Sequence, residues 1–341
     1  MTALTVPDAH AEDASPRPVP WSKLGWVTWR QHRAALAGVA VLLGGLAVYL
    51  LITGLKIHGD YQAVVSCHPA GSAACEVAGR PFAGDHQTAG YVVFILMLIP
   101  ALVGVFVGAP LLARELETGT FRFAWTQGCG RLRWAAAKLT LLAIAVTAAA
   151  GAFSLLFSWY YQPFFTEKFD GVLAPQLFVL RGVQYPAWTL LAFAIGAIAG
   201  VLIRRTVPAM AASLAVWAGL ALGTPLFLRK HYQPPLVLKG NGPSYNNPPW
   251  VFGQWYIGPH GAVASQQTIR NVVAHAPASV RNPVNPNAAT AYLSAHHYTQ
   301  WWTYQPESRF WHFQLIEGGW LLALSLILLA ATVWLVRRRA A

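Results

Sequence analysis

The residues that could do chemistry come first. The chain has six lysines: Lys23, Lys56, Lys138, Lys168, Lys230 and Lys239. A phosphate-cradling loop needs a lysine that follows glycine and precedes Ser or Thr, so that backbone N–H groups wrap the phosphates and the ammonium reaches them. None of the six stands in that context, so the chain is not itself a P-loop ATPase. His296 and His297 are adjacent, and His231, His260, His275 and His312 lie in the same stretch. Adjacent histidines in a strand point to opposite faces, and no HExxH or Cys/His spacing is present. Surface histidine is the better reading, and no metal site is expected. Glu317, in FQLIEGGW, is the lone acid within a long apolar run. It reads either as an interfacial residue paired with Arg309 or a backbone amide, or as a possible outer-gate contact. Cys67 and Cys75 flank CHPAGSAAC, a gap short enough to close a disulfide on an oxidising face; two free thiols are the alternative.

Composition says what must position these groups. Only 11% of the 341 residues are charged and 55% are hydrophobic, against about 25% charged in a soluble domain. Six apolar runs follow one another, at 36–55, 90–113, 134–158, 186–203, 207–228 and 315–336. Each is long enough to cross about 30 Å of hydrocarbon as a helix. None alternates with period two, which excludes a barrel. The expected fold class is therefore an all-α integral membrane protein with six transmembrane helices. Span interiors hold no histidine for haem and, Glu317 apart, no charge for ion coupling. The formal net charge of +12 reads as orientation in a bilayer; no basic patch on a polar domain calls for nucleic acid.

Charge then sets orientation. With the N-terminus inside, the inner segments hold Arg17, Lys23, Arg30, Arg33, Arg114, Arg122, Arg131, Arg133, Lys138, Arg204, Arg205, Arg337, Arg338 and Arg339, which is 14 of the 24 basic residues. They fall in about 65 residues, and the other ten spread over about 140, so the positive-inside rule puts both termini in the cytoplasm. Residues 1–20, rich in Ala, Pro and acid, read as a disordered cytoplasmic tail, and 337–341 as a second one. In 21–35, Trp21, Trp26 and Trp29 share an arc of about 140° opposite Lys23, Arg30 and Arg33. That fits an amphipathic interfacial helix as well as the flank of the first span. The segment 229–312, with NGPSYNNPPW and RNPVNPN, reads as an irregular external loop whose end, with Tyr304, Phe310 and Trp311, joins the outer aromatic belt. Two small-residue pairs, GVFVG (Gly104, Gly108) and GAIAG (Gly196, Gly200), permit close helix approach, and Pro100 and Pro110 suggest kinks.

One polar, basic interruption remains, Arg114 to Lys138. Thr118 and Thr120 can N-cap a short helix whose positive end Glu115 and Glu117 favour, and Phe121, Ala124 and Trp125 then share a face. Such a helix is either a knob for a groove in a soluble partner or an interfacial helix with its aromatics in lipid.

The run GAPLLARELETGTFRFAWTQ, then Arg131, Arg133 and Lys138, resembles the type-2 ABC transporter permease family, most closely its short actinobacterial members. Glu115, Glu117, Gly119, Thr120, Thr126, Arg131 and Lys138 match the family pattern between the second and third spans. Gln127 stands where many members carry proline. RFWHFQLIEGGW, from Arg309 to Trp320, also looks like these permeases. The resemblance implies a permease subunit of an ABC exporter in the plasma membrane. It would pair with a second permease subunit, identical or not, and with separate ATP-binding subunits that hold ATP and Mg; the chain itself needs no cofactor. The coupling helix would be carried by Glu115, Glu117, Gly119, Thr120, Arg122, Trp125, Thr126 and Arg131. Trp159, Trp188 and Trp217 lean towards an amphipathic or hydrophobic substrate, such as a drug, antibiotic, peptide or lipid-like molecule. An ATPase-coupled sensor or immunity module, and an integral-membrane enzyme with its site in 229–312, are the rival readings.

Overall fold

The computed structural model describes residues 21–69, 71–119, 131–240, 242, 248–281 and 286–339. Among them are six helices long and apolar enough to cross a membrane: α1 (Trp21–Ser66), α2 (Ala73–Thr118), α3 (Arg131–Thr166), α5 (Gln184–Ile203), α6 (Thr206–Gly223) and α10 (Phe310–Arg339). A short helix, α4 (Pro175–Leu180), sits between α3 and α5. The bundle has one end carrying Glu115, Glu117 and Arg205, here the loop end. The other carries the segment 229–312 and is here the sheet end.

The bundle is organised on α5. Its buried face goes all the way round, from Tyr185 and Trp188 to Gly200 and Val201, so it has no stripe to show to lipid. Small residues make that possible, and the tightest contact is with α2. A Cβ on Gly104 would lie 2.7 Å from the Ala192 carbonyl oxygen, and one on Gly108 2.6 Å from that of Phe193. A Cβ on Gly196 would fall on the Gly104 carbonyl oxygen. The two small-residue pairs thus meet each other, and the backbones cross with no side chain between them. At the crossing α2 makes a π turn, Gly104–Gly108, in which Ala109 N–H reaches the Gly104 carbonyl. Pro110 explains it: with no N–H, and with a ring that crowds the carbonyl four residues back, it opens the α-helical ladder. A second π turn, Thr224–Leu228, contains Pro225 and ends α6.

Three elements differ from the sequence expectations. The helices outrun the apolar runs: α1 is unbroken from 21 through the expected boundary at 35 to Ser66, and α2 begins at Ala73 rather than near 90. The polar extensions are helical because they pack on each other and on α3, with Ile57, Phe82, Phe164 and Phe165 in one buried cluster. Lys56 Nζ bridges Asp60 at 2.8 Å and Asp85 at 2.7 Å across the pair. A disulfide joins Cys67 to Cys75 across the turn, with Cα atoms 5.6 Å apart. Secondly, 229–312 is not irregular. It holds β1 (Leu236–Lys239), β2 (Trp250–Ile257), β3 (Val263–Ala264) and β4 (Thr299–Gln305), with α7 (Gln266–Ala274), α8 (Ala278–Arg281) and α9 (Pro286–Ala295) between β3 and β4. The strands form an antiparallel sheet ordered β1-β4-β2-β3, with Trp255 opposite Trp301 and Lys239 opposite Trp301 on the other side. β-branched and aromatic residues in β2 and β4 favour pairing, although proline and asparagine dominate what lies between. Thirdly, Phe310 does not join a surface belt; it is buried with Leu173, Phe178 and Phe313, whereas Trp311 is exposed. The fold class is nonetheless that of an all-α integral membrane protein, with the sheet as an addition.

Candidate functional site

Residues 115–119 are the end of α2, not the start of a new helix. Thr118 Oγ1 donates to the Arg114 carbonyl at 2.9 Å, within the same helix. Gly119, at φ 71°, ends the helix in the left-handed region, where glycine alone is unstrained. The two glutamates just before it point to different neighbours. Glu115 is paired with Lys138 of α3, whose side chain is buried. Glu117 is exposed and reaches the first residue of α6: Thr206 donates to its Oε2 from backbone N at 3.0 Å and from Oγ1 at 2.7 Å. Glu117 thus lies at the positive end of α6, about 90 residues further on. The two contacts fasten α2 to α3 and to α6 at the point where the chain leaves α2. Thr120, Arg122, Trp125 and Thr126, with the expected helix in FRFAWTQ, lie outside the described residues, as do the side chain of Arg131, the side chains of 21–35 and the tails 1–20 and 340–341.

The sheet end carries the other candidate. Glu317 is fully buried, and its partner is not Arg309 but Arg229. Arg229 Nε donates to Glu317 Oε2 at 2.8 Å and Nη2 donates to Oε1 at 2.7 Å, a two-pronged pair. Arg229 Nη1 also donates to the Pro175 carbonyl at 3.2 Å, and its guanidinium lies 4.5 Å from the Phe178 ring centre. Trp188 Nε1 donates to Glu317 Oε1 and Tyr232 Oη to Oε2, each at 3.2 Å. Burial pushes the Tyr232 phenol above its ordinary pKa, and the Glu317 charge adds to the rise, so Tyr232 remains a donor. Both oxygens of the buried carboxylate are thus satisfied, by donors from Trp188 of α5 and from Arg229 and Tyr232 beyond the π turn that follows α6. Arg309 instead donates to the Pro234 carbonyl at 2.7 Å and to Gln305 Oε1 of β4, and the second bond ties the start of α10 to the sheet.

Next to this pair, Gln314 holds the α4–α5 turn: its Oε1 accepts from Val183 N–H at 3.0 Å and its Nε2 donates to the Phe178 carbonyl at 3.2 Å. Gln305 of β4 donates to the Lys230 and Gln233 carbonyls, at 3.3 and 2.9 Å, and so anchors the sheet on the end of α6. Sequence reasoning missed Arg229, Thr206 and Gln314. Arg229 carried a signal: a cation closing one apolar run faces, at equal depth, an acid near the start of another. The π turn just before it decides its inward aim, and no periodicity reveals that.

The family model for "ABC-2 membrane transporter related" proteins matches residues 40–229, more than half of the chain. Among curated proteins and solved structures, none matches. The matched stretch runs from α1 to Arg229 and contains both small-residue pairs, Glu115, Glu117 and Lys138. The six helices fit a multi-pass membrane protein, and the family is one of membrane permeases that associate with a separate ATP-binding subunit. With its six-helix bundle and this match, the chain belongs to the ABC-2 membrane transporter related family.

Proposed function

We propose that the chain is the membrane-spanning subunit of an ATP-driven exporter in the plasma membrane. Its termini and its loop end face the cytoplasm, where a separate ATP-binding subunit binds ATP and Mg and docks on residues 120–130. Thr120, Arg122, Trp125, Thr126 and Arg131 supply the docking face. A second permease subunit completes the pathway, and the cargo is an amphipathic or hydrophobic molecule of the drug, antibiotic, peptide or lipid kind. Apart from the Arg229–Glu317 pair, the span interiors are largely apolar, which supports an apolar cargo, and the basic residues gathered at the loop end support the orientation.

The observation that carries this reading is the double fastening at the end of α2. Glu115 engages α3 through Lys138, and Glu117 engages α6 through Thr206. A displacement of the segment that follows Gly119 is therefore delivered to three spans at once. At the outer end the Arg229–Glu317 pair is the fixed joint against which an outer gate opens. The Cys67–Cys75 bond belongs to the same outer, oxidising face.

The test is reconstitution with an ATP-binding partner and comparison with a Glu117→Ala/Trp125→Ala double variant. The expected result is a variant that reaches the membrane and binds the partner, and whose ATP turnover is no longer matched by flux. Flux at the unmodified level in that variant, or an unmodified chain that binds no ATP-binding subunit, overturns the proposal. ATP turnover without flux of any cargo in the unmodified chain would favour a sensor instead.

A further inference from the structure

We propose that the groove between α3 and α10 is the seat of one anionic phospholipid of the inner leaflet. The groove has a volume of about 670 Å³, with Thr140 and Ile144 on one wall, Leu329 and Val333 on the other and Leu190 of α5 between them. It opens sideways: Ile144 and Leu326 at its lips are each 63% exposed. Its α3 wall runs from Ala136 to Ala148, which at 1.5 Å per residue is about 18 Å. The hydrocarbon of a single leaflet is about 15 Å deep. The groove is thus about as long as one leaflet and almost wholly apolar, which suits an acyl chain.

What distinguishes this groove from any lipid-facing furrow is its mouth. Each wall continues, on the same helical stripe, into an arginine at the loop end. Arg133, half-buried, lies three residues before Ala136, and Arg337, exposed, lies four residues after Val333. Arg338 stands beside them with its guanidinium 4.7 Å from the Trp334 ring centre, and Trp334 is 51% exposed at the level where tryptophan meets headgroups. Neither wall has an acidic residue between 131 and 148 or between 326 and 339. A phosphate at the mouth with an acyl chain below it uses both features. The proposal rests on the orientation given above only for the leaflet it names; lipid binding itself needs no ATP-binding partner and no cargo.

The experiment uses the purified full chain in neutral detergent, titrated with phosphatidylglycerol and with phosphatidylcholine of the same acyl chains, and read by native mass spectrometry. Phosphatidylglycerol is expected to bind at least tenfold more tightly. Arg133→Gln and Arg337→Gln should each weaken it about fivefold, and together about 25-fold, as expected for the loss of two cationic contacts to an anionic headgroup. Arg337→Lys, which keeps the charge, should bind nearly as the unmodified chain does. Ala330→Trp, which fills the groove, should weaken both lipids. Equal affinity for the two lipids, or an Ala330→Trp chain that binds phosphatidylglycerol unchanged, overturns the proposal. So does an Ala330→Trp chain that dissociates from dimer to monomer, since the groove would then be an interface between copies. Labelling of an Arg338→Cys chain by an impermeant maleimide in intact cells would reverse the leaflet, and the export orientation with it, without touching the lipid result.

Discussion

Glu317 at the sheet end and Glu117 at the loop end both tie one span to another, but they do so in opposite surroundings. Glu317 is buried, pairs with an equally buried arginine, and accepts from Trp188 and Tyr232 as well. Glu117 is exposed and accepts only from Thr206 in the described contacts. A buried charge pair is weak as a source of net stability, yet breaking it leaves a charge with no solvent and no partner. An exposed contact is made and unmade in water at little cost. The Arg229–Glu317 pair is therefore a joint that holds or fails as a whole, whereas the Glu117–Thr206 contact can exchange with water, unlike the Glu115–Lys138 pair beside it, whose lysine is buried. Between them lies the α2–α5 crossing, where backbone meets backbone and neither helix can slide without the other.

The largest effect should come from halving the buried pair. Glu317→Gln keeps the shape and leaves Arg229 uncompensated, at a cost of about 3–5 kcal/mol. The thermal midpoint of the detergent-solubilised chain should fall accordingly. An Arg229→Met/Glu317→Leu chain should recover most of the loss. If the double change is as damaging as the single one, the pair is not a self-contained joint. If flux survives Glu317→Gln unchanged in a folded chain, an outer gate does not depend on it.

A smaller effect is expected at the crossing. Gly196→Ala sets a methyl group against the Gly104 carbonyl oxygen, which should cost about 1–3 kcal/mol through forced separation of the helices. Gly219→Ala, where a Cβ meets nothing within 4 Å, is the control, and its thermal midpoint should not fall. Equal behaviour of the two would mean that the crossing is looser than the contacts state.

The smallest effect on stability, and the most specific, belongs to Glu117→Ala. The thermal midpoint should hardly move, but amide exchange at the start of α6, from Thr206, should quicken while that around Glu317 stays slow. Quickened exchange at both ends would erase the contrast between a fixed joint and an exchangeable contact.

Much of the architecture is legible before any coordinates. Six runs of suitable length, free of period-two alternation, dictate spanning helices, because hydrocarbon leaves no other way to satisfy the backbone. Local composition also marks α5 as a hairpin partner of α6, with Arg204, Arg205 and Thr206 as the turn, and it marks the small-residue pairs. What composition cannot carry is pairing over long separations. Nothing in GVFVG says that its partner is GAIAG, and nothing near Glu117 says that the positive end it serves begins at Thr206. Helix ends were misplaced where polar residues such as Lys56, Asp60 and Asp85 satisfy one another, because hydropathy scores each residue as if it faced its surroundings alone. The sheet was hidden for a related reason: its strands are short, and β2 and β4 are more than 40 residues apart.

The sequence by itself therefore determined the solvent: an apolar chain with polar punctuation must lie in a membrane, with its glutamates and arginines at the ends of helices. Only the tertiary structure decided which of the two carboxylates, Glu317 or Glu117, is locked and which can let go. That outcome depends on burial, on the turn that Pro225 opens before Arg229, and on which helix terminus a carboxylate reaches. Each of these is set by packing between segments far apart in the chain.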